Sequence, residues 1–284
     1  MIQEKDLAEK LSEIQERYIN FMLDSLKDWR QWADASQRMA DGKPVSKDEV
    51  PEFFHTEYEW AKIVLDMEDQ GGFNWQDPRI AKLFAAAAQT PFYKLWGETI
   101  TEVSRVLAQQ INAKTLIEIG AGRGNLTRDM LVKLSRNNMS VPLVATDANE
   151  TILENIAELQ DDFPEQSLRT CLWDVNRPPE DLLKNQIKNP AVLYERASIT
   201  YATYGSLENM AQVADVIVLG DYFNYTGELF AYDTMFDKIG VKPLLYKDVE
   251  PLLLKHFPNQ ILFDRQVHES IGVPNISMII AWKQ

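Results

Sequence analysis

The chain has 284 residues, 45% hydrophobic and 25% charged, enough apolar sequence to bury a core in one large domain or one domain with a helical appendage. A formal net charge of −14 argues against sequence-independent nucleic-acid binding, which needs a basic footprint, and against docking on anionic lipid. Cys171 is the sole cysteine, there is no signal-like apolar segment at the N-terminus, and no run approaches the ~18 apolar residues of a membrane span, so a soluble, cytoplasmic protein without disulfides or membrane contact is expected.

The first ~110 residues read as helix by their period. Leu7, Leu11, Ile14, Tyr18, Phe21, Met22, Leu26 and Trp29 recur at three- and four-residue steps until Asp41-Gly42-Lys43-Pro44 stops the pattern. A second helix is expected over 51–68, opened by Ser46 with Glu49 three residues on, a capping-box pair. Gly71-Gly72-Phe73 breaks the chain, and Asp77-Pro78 and Thr90-Pro91 each place proline directly after an N-cap residue.

After Ala113 short apolar runs alternate with helical patterns, the signature of a parallel α/β sheet. Strands are expected at 115–119, 141–146, 167–173, 214–220, 242–246, 261–267 and 276–282, and helices near 125–137, 149–160, 179–187, 228–239 and 248–256. Only eight residues, HESIGVPN, separate the last two strands, too few for a helical crossover, so they should pair antiparallel.

The first strand runs into Glu118-Ile119-Gly120-Ala121-Gly122-Arg123-Gly124. A nicotinamide or flavin turn places its last glycine three after the second, where Asn125 stands here, and a phosphate-binding P-loop needs a lysine that is absent. What remains, an acid followed by three alternate glycines, resembles motif I of the class I S-adenosylmethionine-dependent methyltransferases. Glycines at 120 and 122 permit close backbone approach because they lack a Cβ. Asp147 ends the second strand, 27 residues after Gly120, and Asp174 ends the third. Each acid on its own could be a helix N-cap. Together they stand in order along the edge where open α/β sheets bind ligands.

The resemblance implies a doubly wound seven-stranded mixed α/β sheet in order 3-2-1-4-5-7-6, strand 7 antiparallel, over residues 111–284, with residues 1–110 as an all-helical cap. It implies S-adenosyl-L-methionine as cofactor: Glu118 orients the turn or reaches the amino group, Asp147 holds the ribose, and Asp174 takes the adenine amine under Trp173 or Val175. Ala121, Ala148, Gly220 and Tyr93 complete the expected cofactor contacts. The segment PFYKLWGETITEVSRVLAQQ is also loosely similar to the lead-in of polyketide-type methyltransferase domains.

The acceptor is expected at the end of the fourth strand, read as VLGDYFNYTGEL, with Asp221, Tyr222, Asn224, Tyr225 and Glu228. GDYF lacks the prolines of adenine and glutamine N-methyltransferases, and no histidine stands there for the dyad of polyketide carbon methyltransferases. Candidate catalytic groups are Tyr222, Asp221 and His268; candidate acceptor-lining residues are Phe73, Trp75, Tyr93, Trp96, Phe223, Asn224 and Tyr225. His256 reads as a helix C-terminal residue, His55 as a surface or interface residue beside Glu57 and Glu59, and no metal set is evident. About 40 residues between the third and fourth strands exceed a usual crossover, and their Tyr194, Tyr201 and Tyr204 are expected to pack against the sheet.

The expected activity is methyl transfer to a small or medium-sized organic metabolite, with no nucleic-acid or membrane partner and the N-terminal helices doubling as a homodimer interface. A protein or peptide methyltransferase and a non-catalytic cofactor-binding protein are the competing readings.

Overall fold

The computed structural model describes residues 4–68, 88, 90–198, 203–221, 223–224, 244–264 and 275–283. Seven strands form the main sheet: β1 Thr115–Ile119, β2 Leu143–Asp147, β3 Leu168–Leu172, β4 Ala191–Arg196, β5 Val216–Gly220, β8 Asn259–Leu262 and β10 Ile279–Trp282, in spatial order β3-β2-β1-β4-β5-β10-β8. β10 runs antiparallel to both neighbours, and β1 to β5 are parallel. Counted along the main sheet this is 3-2-1-4-5-7-6, the expected order. A second, small sheet pairs β6 Phe223–Asn224 with β7 Leu244–Leu245 and β9 Asn275–Ile276.

Two strand assignments need correction. The fourth strand is Ala191–Arg196, inside the stretch read as crossover, so 214–220 supplies the fifth strand. Of the segment 242–246, the described residues do not join the main sheet: Leu244 and Leu245 pair in the small sheet, and Tyr246 opens the Tyr246–His256 helix. The misreading has a physical origin. Ala191–Arg196 ends in Glu195 and Arg196, which look like surface residues, yet Glu195 is fully buried and its Oε2 accepts the Ser198 N–H at 2.8 Å.

Strand alternation sorts the sheet into two cores. Leu116, Val192, Tyr194, Val218 and Ile280 face one side, sharing a continuous cluster with Leu7, Tyr18, Trp32, Phe54 and Val64 of the N-terminal helices and with Ile100 and Met130. Ile117, Leu193, Ile217 and Ile279 face the other, against Leu207, Val249 and Leu253. The long N-terminal pattern divides at Ser25 into helices Glu4–Asp24 and Leu26–Ala40, ending at Gly42 in the left-handed region. Ser46 and Glu49 do pair, the Ser46 N–H donating to Glu49 Oε1 at 2.8 Å, but they close a short 3₁₀ turn, and the following helix starts later, at His55–Glu68. Thr90-Pro91 opens the helix Pro91–Gln110 as expected.

The cap is tied to the carboxyl edge of the sheet. Ser277, where β10 enters at that edge, bonds Tyr18 Oγ-to-OH at 2.7 Å, donates its N–H and hydroxyl to buried Asp264, and offers its carbonyl to the Trp96 indole at 3.1 Å. No helix among the described residues is long and apolar enough to cross a membrane.

Candidate functional site

β1 and β4 are neighbours whose chain continuations diverge to opposite faces, and such a switch point opens a ligand crevice at the carboxyl ends of the strands. The glycine turn sits there. Gly120, Gly122 and Gly124 all have positive φ, at 61°, 54° and 75°. A residue with a Cβ pays for that conformation with strain. At Gly120 there is also no room, since an added Cβ would lie 2.3 Å from Ser198 Oγ. Gly124 is the N-cap of helix Asn125–Arg136.

Under the turn lies Glu118, fully buried. Its Oε2 accepts from Thr127 at 2.8 Å and from the Tyr194 hydroxyl at 3.2 Å, while Oε1 has no hydrogen-bond partner among the described residues. Burial pushes its carboxyl up to about 7, against the pull of Thr127, Tyr194 and the Arg196 charge, with the Asp147 charge adding to the rise. An ionisable group held near neutrality at a strand-end crevice is a candidate functional group.

Asp147 closes the turn from β2: its Oδ2 accepts the Gly122 N–H and its Oδ1 the Asn149 N–H, both at 3.0 Å. It is not the N-cap of helix Glu150–Ala157, because Asn149 fills that position and accepts from Thr151 N–H at 3.0 Å. Ala148 beside it is exposed. Asp174 is half-buried, with Oδ1 accepting from the Asn176 backbone and side chain and Oδ2 3.5 Å from Arg177. Trp173 and Val175 are both buried, and the Trp173 indole donates to the Arg177 carbonyl at 3.0 Å. The apolar side chain that does stand open here is Leu172, 52% exposed and directly paired with Asp147 in the β2–β3 register.

At the end of β4, Arg196 donates to the Tyr93 carbonyl at 3.0 Å and lies 5.8 Å from that ring's centroid. Ser198 donates to the Ile119 carbonyl at 3.2 Å. Arg196, Ser198 and Thr127 were not singled out in the sequence and Tyr194 was expected only to pack, yet all four border the turn. Recognising Ala191–Arg196 as the strand next to β1 is what exposes them.

The other candidates are placed as follows. Gly220 packs under the Pro91–Gln110 helix, where a Cβ would lie 2.3 Å from Ile100. Asp221, Trp96 and Phe223 are fully buried, the last two within the two cores. His55 lies with its Nε2 3.1 Å from the Val50 carbonyl, and His256 ends its helix. Phe73, Trp75, Tyr201, Tyr222, Tyr225, Glu228, His268, the Asn224 side chain and the expected helix at 228–239 lie outside the described residues.

No family model and no curated protein matches the sequence. Solved structures do resemble it. The DszA carbon methyltransferase aligns at TM-score 0.62 and 14% identity over 81% of this chain and 66% of its own. The citrinin polyketide synthase CMeT domain aligns at 0.55 and 14%, over 73% of this chain and 57% of its own. This chain therefore spans less than two thirds of either. The pyocyanin biosynthetic protein PhzM aligns at 0.52 and 12%, over 94% of this chain and 72% of its own. With the strand order, these likenesses settle the architecture: the chain has the class I methyltransferase fold.

Proposed function

We propose that the chain binds S-adenosylmethionine at the β1 turn and transfers its methyl group to a small or medium-sized organic acceptor. One observation carries the reading: a buried acid with one unpartnered oxygen, three left-handed glycines and the β2 terminal acid converge within a single turn. A zwitterionic, adenosine-containing ligand fits such a donor set. Glu118 Oε1 suits an ammonium, the glycine backbone a close-lying chain, Asp147 a pair of hydroxyls, and Asp174 an exocyclic amine with Leu172 along the ring.

When bound, the sulfonium supplies an electrophilic methyl group, and the protein's part in such a displacement is chiefly alignment and proximity. In this chain that part falls to Glu118, held on one oxygen by Thr127 and Tyr194, and to the β4 end that presses Ser198 onto Gly120. The acceptor side lies below the helical cap, whose aromatic residues continue through Tyr93 to Arg196. An enclosed, largely apolar pocket is the usual form of a small-molecule site.

Incubating the full chain with methyl-labelled S-adenosylmethionine and the low-mass fraction of a cell extract tests the activity. Label is expected in low-mass product. Label appearing only on protein, or no turnover, contradicts the proposal.

A further inference from the structure

The helical cap contains a buried acid that the cofactor reading does not use. Glu57, in the first turn of helix His55–Glu68, is 7% exposed, and among the described residues its carboxylate meets no hydrogen-bond partner beyond its own backbone N–H. It shares the buried face of its helix with Phe54, Tyr58, Ala61 and Val64. Two lysines that belong to or pair with this helix are engaged with other residues: Lys62 stands over the Tyr58 ring at 5.7 Å, and Lys47 pairs with Glu59 at 3.0 Å. Burial pushes the Glu57 carboxyl up to about 7, so near neutrality it readily ionises toward a cation brought to it.

Its surroundings are aromatic. Phe54, one turn earlier, meets Trp29 at 4.7 Å and stacks on Trp32 at 5.7 Å between ring centroids. Trp29 also meets Phe92 at 4.9 Å, and its buried indole N–H has no acceptor among the described residues. The acid and the N–H thus stand on two packed helices, both beside Phe54: Trp29 through its ring contact, Glu57 one turn along the chain. Leaving such groups buried and unmet is costly. A ligand ammonium answers the acid and the rings, because it pairs with the carboxylate and is attracted to aromatic faces. The Trp29 N–H remains for a lone pair on the same ligand.

The cluster is continuous with the cofactor side. Phe92 meets Tyr93 at 5.7 Å, Tyr93 lies under Arg196, and Arg196 is two residues from the Ser198 that abuts Gly120. We propose that Glu57, with Trp29, forms an amine-recognition site of the acceptor pocket, so that the acceptor carries a protonated amine on an aromatic or apolar body. This inference rests on the methyl-transfer reading and narrows its substrate class.

The test uses phenethylamine and its neutral counterpart 2-phenylethanol, titrated calorimetrically into the full chain with and without S-adenosylhomocysteine. The amine is expected to bind at least tenfold more tightly than the alcohol, and Glu57→Gln to erase that preference. Should Glu57→Gln fail to fold, Glu57→Asp, which keeps the charge but withdraws it by one methylene, replaces it and is expected to narrow the preference at least threefold. Equal binding of the two probes, binding of neither, or a preference that survives in the folded variant overturns the inference. S-adenosylhomocysteine binding by the unsubstituted chain is scored separately, so an amine failure with intact nucleoside binding sinks this inference alone.

Discussion

The Gly122 backbone N–H donates to Asp147 Oδ2 at 3.0 Å, joining the β1 turn to the end of β2. Asp147 therefore shapes the turn as well as offering a carboxylate to a ligand. Asp147→Ala should weaken S-adenosylhomocysteine binding by about 1–3 kcal/mol, the cost of an unmet hydrogen-bonding partner, measured by calorimetry. Unchanged affinity would remove Asp147 from the site.

Gly120 and Gly42 separate backbone strain from crowding. Both have positive φ, but an added Cβ at Gly42 meets nothing within 4 Å, while at Gly120 it meets Ser198 Oγ at 2.3 Å. Gly42→Ala should cost about 1 kcal/mol from conformation alone. Gly120→Ala should cost at least about 1 kcal/mol more, and adding Ser198→Gly should restore part of the difference, as read by urea unfolding. Equal losses at the two glycines would show that the β4 end does not press on the turn.

Glu118 makes stability depend on pH with a definite sign. Its folded value of about 7 lies above the ordinary 4.5. Below 4.5 the group is protonated in both folded and unfolded chains. Between 4.5 and about 7 the unfolded chain loses the proton first, so stability falls as pH rises, by up to about 3 kcal/mol. Glu57 acts in the same direction. Urea unfolding from pH 4.5 to 8 should show Glu118→Gln losing less stability than the unsubstituted chain. A parallel decline in both would contradict the assignment.

Tyr194 donates to the ionised form of that carboxylate, so Tyr194→Phe should raise the Glu118 value further. If binding needs the carboxylate, S-adenosylhomocysteine affinity should climb as pH rises through about 7, and the climb should move to higher pH in Tyr194→Phe. A uniform loss of affinity with an unshifted profile would reduce Tyr194 to a packing residue.

The glycine turn was legible because its evidence is local: glycine spacing along five residues and acids at the ends of apolar runs. β4 was not, because its polar end is satisfied only in the fold, Glu195 by the Ser198 N–H and Arg196 by the distant Tyr93 carbonyl. Tyr194 meets Glu118 across 76 residues of sequence, a contact that exists only once β4 lies beside β1. Leu172 shows a second limit. Apolar patterning marks it as a strand residue but cannot tell that it stands open beside Asp147. Trp96 shows the converse, an aromatic that suited a pocket by type but fills the core, its indole bonded to Ser277. Segment 242–246 had strand-like composition, yet a helix starts at Tyr246, and Leu244 and Leu245 pair in the small sheet instead of the main one.

The account turns on what the β1 turn holds, and calorimetric titration of the full chain with S-adenosylhomocysteine and, separately, with NAD measures that directly. S-adenosylhomocysteine is expected to bind with one-to-one stoichiometry, at least tenfold more weakly in Glu118→Gln, with NAD producing no saturable heat. Saturable binding of NAD with none of S-adenosylhomocysteine would contradict the account.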